Sequence, residues 1–174
     1  MLRLLRPLLI SLLLIAPAAF ADALYQVELI VFRQAEKPVN ASQPSPEDWA
    51  NGASAIAAEN ERGTALGGEA EKLAAKGYQV VLHKAWQQSV GGSSAPVRFS
   101  AGQEHDGHFP VEGVLALSQG RQLELKLQSW INQFNRDGFL TGSERVQAQR
   151  GVLPGQLIYL DHPSAGALIR ITAL

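Results

Sequence analysis

The chain has 174 residues, with 15 lysines and arginines against 16 acids and no cysteine. That length builds one ordinary core, excludes two large domains, and leaves no disulfide to staple the fold. A formal net charge of −1 argues against a nucleic-acid binder or a polybasic membrane clamp, which need clustered cationic surface.

Met1 to Pro7 carries Arg3 and Arg6, Leu8 to Ile15 is almost wholly apolar, and Ala19-Phe20-Ala21 supplies small residues where a signal peptidase reads. This pattern predicts a cleavable export signal over 1–21, cut before Asp22. The apolar stretch ends at Ala21 and is broken by Pro17, short of the roughly 20 apolar residues of a spanning helix. Without cysteine, a lipid anchor after the cut is also closed. The expected product is soluble in the periplasm, with no stable membrane anchor after cleavage.

Residues 22–174 then read as a single domain. Tyr25 to Arg33 is apolar on both faces, the signature of a central, doubly covered strand. From about 35 to 68 the composition turns to Ala, Gly, Pro, Ser and Glu, a long and flexible excursion. Within it, Ser45 to Asn51 has the pattern of one helical turn capped by Ser45. Glu69 to Lys76 continues from Leu66 with apolar residues at helical spacing, and Gly77 stands where a left-handed C-cap is wanted.

Tyr78 to Trp86 alternates Tyr78, Val80, Leu82, Lys84 and Trp86 against Gln79, Val81, His83 and Ala85, a second strand. Val97 to Ser100 is a short strand. Pro110 to Leu117 and Gln122 to Ile131 flank Gln119-Gly120-Arg121 as a hairpin with one face in water. Leu140 to Arg150 is polar enough for an edge strand or a loop, and two short strands, Gln156 to Leu160 and Ala167 to Thr172, surround Asp161-His162-Pro163. One short amphipathic helix among about seven strands predicts an α+β domain, predominantly antiparallel sheet.

The common catalytic signatures are missing: no G-x-S-x-G, S-x-x-K, Walker loop or H-E-x-x-H occurs, and there is no thiol. No catalytic residue, resident metal or cofactor is expected. His105-Asp106-Gly107-His108 reads as a surface turn or an adventitious metal site. Asp161-His162 reads either as orienter and base of a hydrolase or as a turn in which Asp161 accepts backbone N–H bonds before Pro163.

Aromatic and polar residues coincide in HKAWQ, from His83 to Gln87, and in YLDHP, from Tyr159 to Pro163. Sugar rings stack on Trp and Tyr while their hydroxyls seek polar tips and amides. The candidate ligand-binding residues are therefore Trp86, Gln87, Tyr159, Asp161, His162 and His83. The competing reading places Trp86 and Tyr159 in the core.

YQVELIVFRQ at the start of the domain, PEDW at Pro46 to Trp49, GYQVVLHKAWQQ from Gly77 and YLDHPSAGALIRIT from Tyr159 resemble, in that order, the CsiV-like periplasmic peptidoglycan-binding family of Gram-negative bacteria. The resemblance implies a non-catalytic periplasmic protein that binds peptidoglycan and supports lytic transglycosylases, cell shape and wall turnover. Gln156 and Ile158 stand where relatives commonly carry Glu and His. Two other readings remain: a metal-assisted or acid–base hydrolase built on His83, Asp161 and His162, and an adaptor that recruits wall enzymes through a sheet edge without touching glycan.

Intact-mass measurement of the exported protein is expected to give the chain without residues 1–21. A product that keeps them, or that stays in carbonate-washed membranes, contradicts the export reading.

Overall fold

The computed structural model describes residues 22–34, 44–50, 52–91 and 95–174. The export signal over 1–21 and the first part of the excursion, 35–43, lie outside them. In chain order the elements are β1 (Ala23–Gln34), β2 (Ser54–Ala55), a single 3₁₀ turn (Ala58–Asn60), β3 (Glu61–Arg62), α1 (Gly67–Ala75), β4 (Tyr78–Val90) and β5 (Ala95–Ala101). They continue with β6 (Val111–Gln119), β7 (Leu123–Phe134), β8 (Leu140–Val152), β9 (Leu157–Asp161) and β10 (Ala165–Ala173). No helix among the described residues is long and apolar enough to cross a membrane.

The predicted α+β class holds, with the strands divided between two five-stranded sheets, β3-β4-β1-β10-β9 and β2-β5-β6-β7-β8. All pairings are antiparallel except β2 with β5. The apolar faces of the two sheets meet in one core, to which β1 gives Tyr25, Val27, Leu29 and Val31, and β7 gives Leu123, Leu125, Leu127 and Ile131. Burying each such aliphatic side chain contributes about 1.5–3 kcal/mol.

The double apolar pattern of β1 has its cause in a second, smaller cluster. Ile30 and Phe32 point away from the other sheet and pack with Leu168 of β10 beneath Leu66 and Leu73 of the α1 segment. Gly77 follows α1 at φ +83°, the left-handed stop expected there. Gly166 of β10 is needed for close approach: a Cβ there would lie 2.6 Å from Phe32 Cζ and 2.7 Å from the Leu160 carbonyl oxygen.

Strand β4 departs from simple alternation. Val31 pairs with Leu82 but Phe32 pairs with Val80, so Val81 is an extra residue that bulges the strand. The bulge sends Tyr78 and Val80 to the helix-side cluster, whereas Leu82 and Trp86 stay in the inter-sheet core. The polar segment around Leu140 to Arg150 is β8, the edge of its sheet. Ile158 packs into the inter-sheet core.

The described part of the 35–68 excursion is tied down at several points: Ser45 is buried, Ser54–Ala55 pairs with β5, Glu61–Arg62 pairs with β4, and Leu66 is fully buried. The turn after Pro46 is closed by Trp49 N–H on the Pro46 carbonyl, 3.0 Å. Ser45 does not cap it, because its hydroxyl donates instead to Glu112 Oε1, 2.5 Å away.

Trp86 is the side chain on which the core reading and the sugar-stacking reading divide. It is 1% exposed, its indole lies against Phe99 with ring centroids 6.3 Å apart, and its Nε1–H donates to Gln88 Oε1 at 2.8 Å. A sugar cannot reach it, so the proposed stacking role is corrected to a core role. Trp86→Ala is expected to cost about 3–5 kcal/mol in urea-unfolding equilibria; a loss below about 1 kcal/mol contradicts this packing.

Candidate functional site

Three buried carboxylates organise the loops, and each has a histidine. Glu28 of β1 accepts backbone N–H bonds from Ala65 and Leu66, both 2.7 Å, and contacts His83 Nε2 at 2.8 Å. It thereby sits at the positive end of α1, where a carboxylate is favoured. Glu112 of β6 accepts from the Ser45 hydroxyl and from Phe109 N–H at 2.8 Å, and lies 2.9 Å from His108 Nδ1. Glu144 of β8 contacts His162 Nδ1 at 2.8 Å and accepts from the Ser164 hydroxyl, so an acid of one sheet holds the β9–β10 turn of the other.

These contacts relocate several predicted ligand residues. His83 is engaged with Glu28 and His162 with Glu144. Gln87 is used at both ends of its amide, accepting from Arg62 and donating to Asn60 Oδ1 at 3.4 Å, so it is a fastener between β4 and the segment before α1. The β9–β10 turn is closed by His162 N–H on the Ala165 carbonyl, 3.0 Å. In His105-Asp106-Gly107-His108 the two histidines pair across a tight turn with Asp106 at φ +50° and Gly107 at φ +81°, a two-residue hairpin of the type Asp-Gly favours.

The hydrolase constellation does not assemble. His83 pairs across β1 with Ile30, which pairs with Leu168, which pairs with Tyr159. Three strand spacings, about 14 Å, therefore separate His83 from β9. Among the described residues no three His, Asp or Glu side chains stand together as a metal site.

Tyr159 and Asp161 are what remains at the surface. Both project from the helix-side face of β9, the edge strand, and Tyr159 is 47% exposed. One face of its ring lies on Phe32, with centroids 5.9 Å apart and planes 27° apart, and Phe32 is itself braced edge-on by Tyr78 at 5.1 Å. Its hydroxyl donates to Asp161 Oδ1 at 3.4 Å. Partial burial, then the Asp161 charge, then Tyr78, raise the phenol above its ordinary 10.0, so it stays a protonated hydrogen-bond donor at neutral pH. A rigid, half-exposed aromatic beside a carboxylate matches the demands of a sugar ring.

A separate cleft of about 560 Å³ opens between β4 and β5, with Trp49 and Phe109 in its wall and Lys84, Arg98, Glu61 and Glu104 around it. None of these is among the ligand-binding candidates read from the sequence, although Trp49 stands in PEDW and Lys84 in HKAWQ; the readable signal is Lys84, a cation in register with Leu82 and Trp86.

Absorbance titration of the phenols is expected to show one transition displaced above 10, removed by Tyr159→Phe and moved down by Asp161→Asn. An unchanged curve in Asp161→Asn contradicts the Tyr159–Asp161 contact.

No curated protein and no solved structure matches the chain. The family model described as "Peptidoglycan-binding protein, CsiV" matches over residues 4–68 and 57–174. Those two segments take in β1, the Pro46–Trp49 turn, the whole of β4 and the Tyr159 turn, and on that match the chain belongs to the CsiV family.

Proposed function

We propose that this domain binds peptidoglycan directly in the periplasm, as a non-catalytic accessory that supports lytic transglycosylases and wall turnover. The observation that carries the binding reading is the family match over nearly the whole chain. The half-exposed Tyr159, fixed on Phe32 and flanked by Asp161, supplies the sugar contact. Its support is pre-organised, since the ring is held before any ligand arrives and loses little freedom on binding. A non-catalytic role is supported by the carboxylates themselves: the three that are deeply buried accept hydrogen bonds from their own loops. A glycosidic general acid would instead need to face a bound sugar.

Purified protein is expected to co-sediment with purified sacculi without any other protein present. Tyr159→Ala is expected to weaken that binding about two- to tenfold, the range of one aromatic contact, with little change in the melting transition. Incubation with sacculi is expected to release no muropeptides. Failure of the wild-type protein to sediment contradicts direct binding. Release of anhydromuropeptides that is lost on changing one Asp or Glu contradicts the accessory role.

A further inference from the structure

Lys84 occupies a position where the alternation of β4 calls for an apolar side chain. It pairs with Leu29, which is fully buried, and stands between Leu82 and Trp86 on the face that packs against the other sheet. Its side chain is half-buried and opens toward a cleft, where the ammonium can keep contact with water or a ligand. Among the described residues Lys84 has no ion-pair partner, and neither has Arg98. Both line the cleft of about 560 Å³ between the β4 and β5 sides of the two sheets.

Acids line the same cleft: Glu47 and Asp48 from the turn before Trp49, Glu104 from the loop after β5, and Glu61 of β3, which pairs with Trp86 and so stands beside Lys84 on one sheet. The aromatic part of the wall is held in place: Trp49 Nε1–H donates to the Gly107 carbonyl at 3.2 Å, and its ring meets Phe109 edge-on at 6.2 Å. Beneath it lies a buried network. Ser45 N–H donates to Ser143 Oγ at 2.8 Å, the Ser143 hydroxyl to Asn132 Oδ1 at 2.5 Å, and the Asn132 amide to the Phe109 carbonyl at 2.8 Å.

A cleft that holds both unpaired cations and carboxylates is poorly matched to neutral sugar hydroxyls, whose binding would leave those charges desolvated without a counter-charge. It repels polyanions and polycations alike. A short chain bearing both free carboxylates and a free amine satisfies both signs of charge, and the peptide stems of peptidoglycan have that chemistry. We propose that this cleft binds the zwitterionic stem peptide, with a carboxylate on Lys84 and Arg98 and the ammonium toward Glu104. The glycan contact at Tyr159 is on the opposite edge of the same sheet. The inference rests on peptidoglycan being the ligand, and adds that two chemically different parts of it are held at two places.

The test uses isothermal titration of the purified protein with three probes: stem peptides freed by an amidase, the same peptides with the side-chain amine acetylated, and glycan strands stripped of peptide. Sedimentation with intact sacculi runs alongside. Free stem peptide is expected to bind. Arg98→Gln and Lys84→Met are each expected to weaken it about tenfold, the weight of one charge-assisted hydrogen bond, while leaving binding of stripped glycan unchanged. Arg98 is exposed, so its variant keeps the test valid if Lys84→Met fails to fold. Acetylation of the amine, or Glu104→Gln, is expected to weaken peptide binding by a similar factor. Sedimentation with intact sacculi but no affinity for free stem peptide overturns this inference and leaves peptidoglycan binding standing. Peptide binding that Arg98→Gln does not alter overturns the assignment of the cleft. Binding to neither sacculi nor peptide overturns both readings.

Discussion

The buried carboxylate bonded to a histidine and to loop donors is the interaction on which the loops of this domain depend, and among the described residues it occurs three times. Glu28, Glu112 and Glu144 are each at most 3% exposed. An ionised carboxylate removed from water to that extent costs several kcal/mol unless its lone pairs are filled. In each case the donors come from a segment that is not part of the sheet: residues 65–66 before α1, Ser45 with the His108–Phe109 loop, and the His162–Ser164 turn. The sheet fixes the acid, and the penalty for leaving it unsatisfied then fixes the loop. Removing one partner of such a set is much more damaging than never having had it, because the buried acid stays behind with a bond unmade. Both candidate surfaces stand on these anchors, the Tyr159 turn on Glu144 and the Trp49 turn on Glu112.

This division of labour gives the two faces of one sheet different tasks. The inner face of β1, β4 and β10 packs in the sandwich core. On the outer face the α1 segment packs over Ile30, Phe32 and Leu168, and Tyr159 lies against Phe32 from the edge strand. The row of aromatics Tyr78, Phe32 and Tyr159 therefore runs from beneath the helix side to the open edge, and only its last member meets solvent over about half its surface.

Much of the scaffold is legible in the sequence because strand alternation and turn chemistry are local. The doubly apolar Tyr25–Arg33 run, the Gln119-Gly120-Arg121 hairpin and the glycine after the helix each declare themselves within about ten residues, and each is where it was expected. The bulge at Val81 is not local: only the pairing with β1 shows that Tyr78 and Val80 have crossed to the other face. Glu28, Glu112 and Glu144 escaped notice for a related reason, since an acid in an alternating strand reads as a solvent-facing residue until the loop that covers it is known. Trp86 and Gln87 share the most ligand-like motif in the chain, yet the first fills the core and the second bridges Arg62 and Asn60. The cleft gathers residues from the Pro46–Trp49 turn, β3, β4, β5 and the loops before β6, and no spacing rule joins segments so far apart.

The pairing of β1 with β10 bears on how the domain is made. Tyr25 pairs with Ala173 and Arg33 with Ala165, so the central strand of one sheet is completed by the far end of the chain. Contacts at such sequence separation are formed late and slowly, because the loop between them must close before they return any stabilisation. While the chain emerges from its N-terminal side, β1 has β4 along one edge and an open row of N–H and C=O groups along the other, a template for mispairing. A half-emerged chain therefore carries β1 unpaired along that edge until β10 arrives.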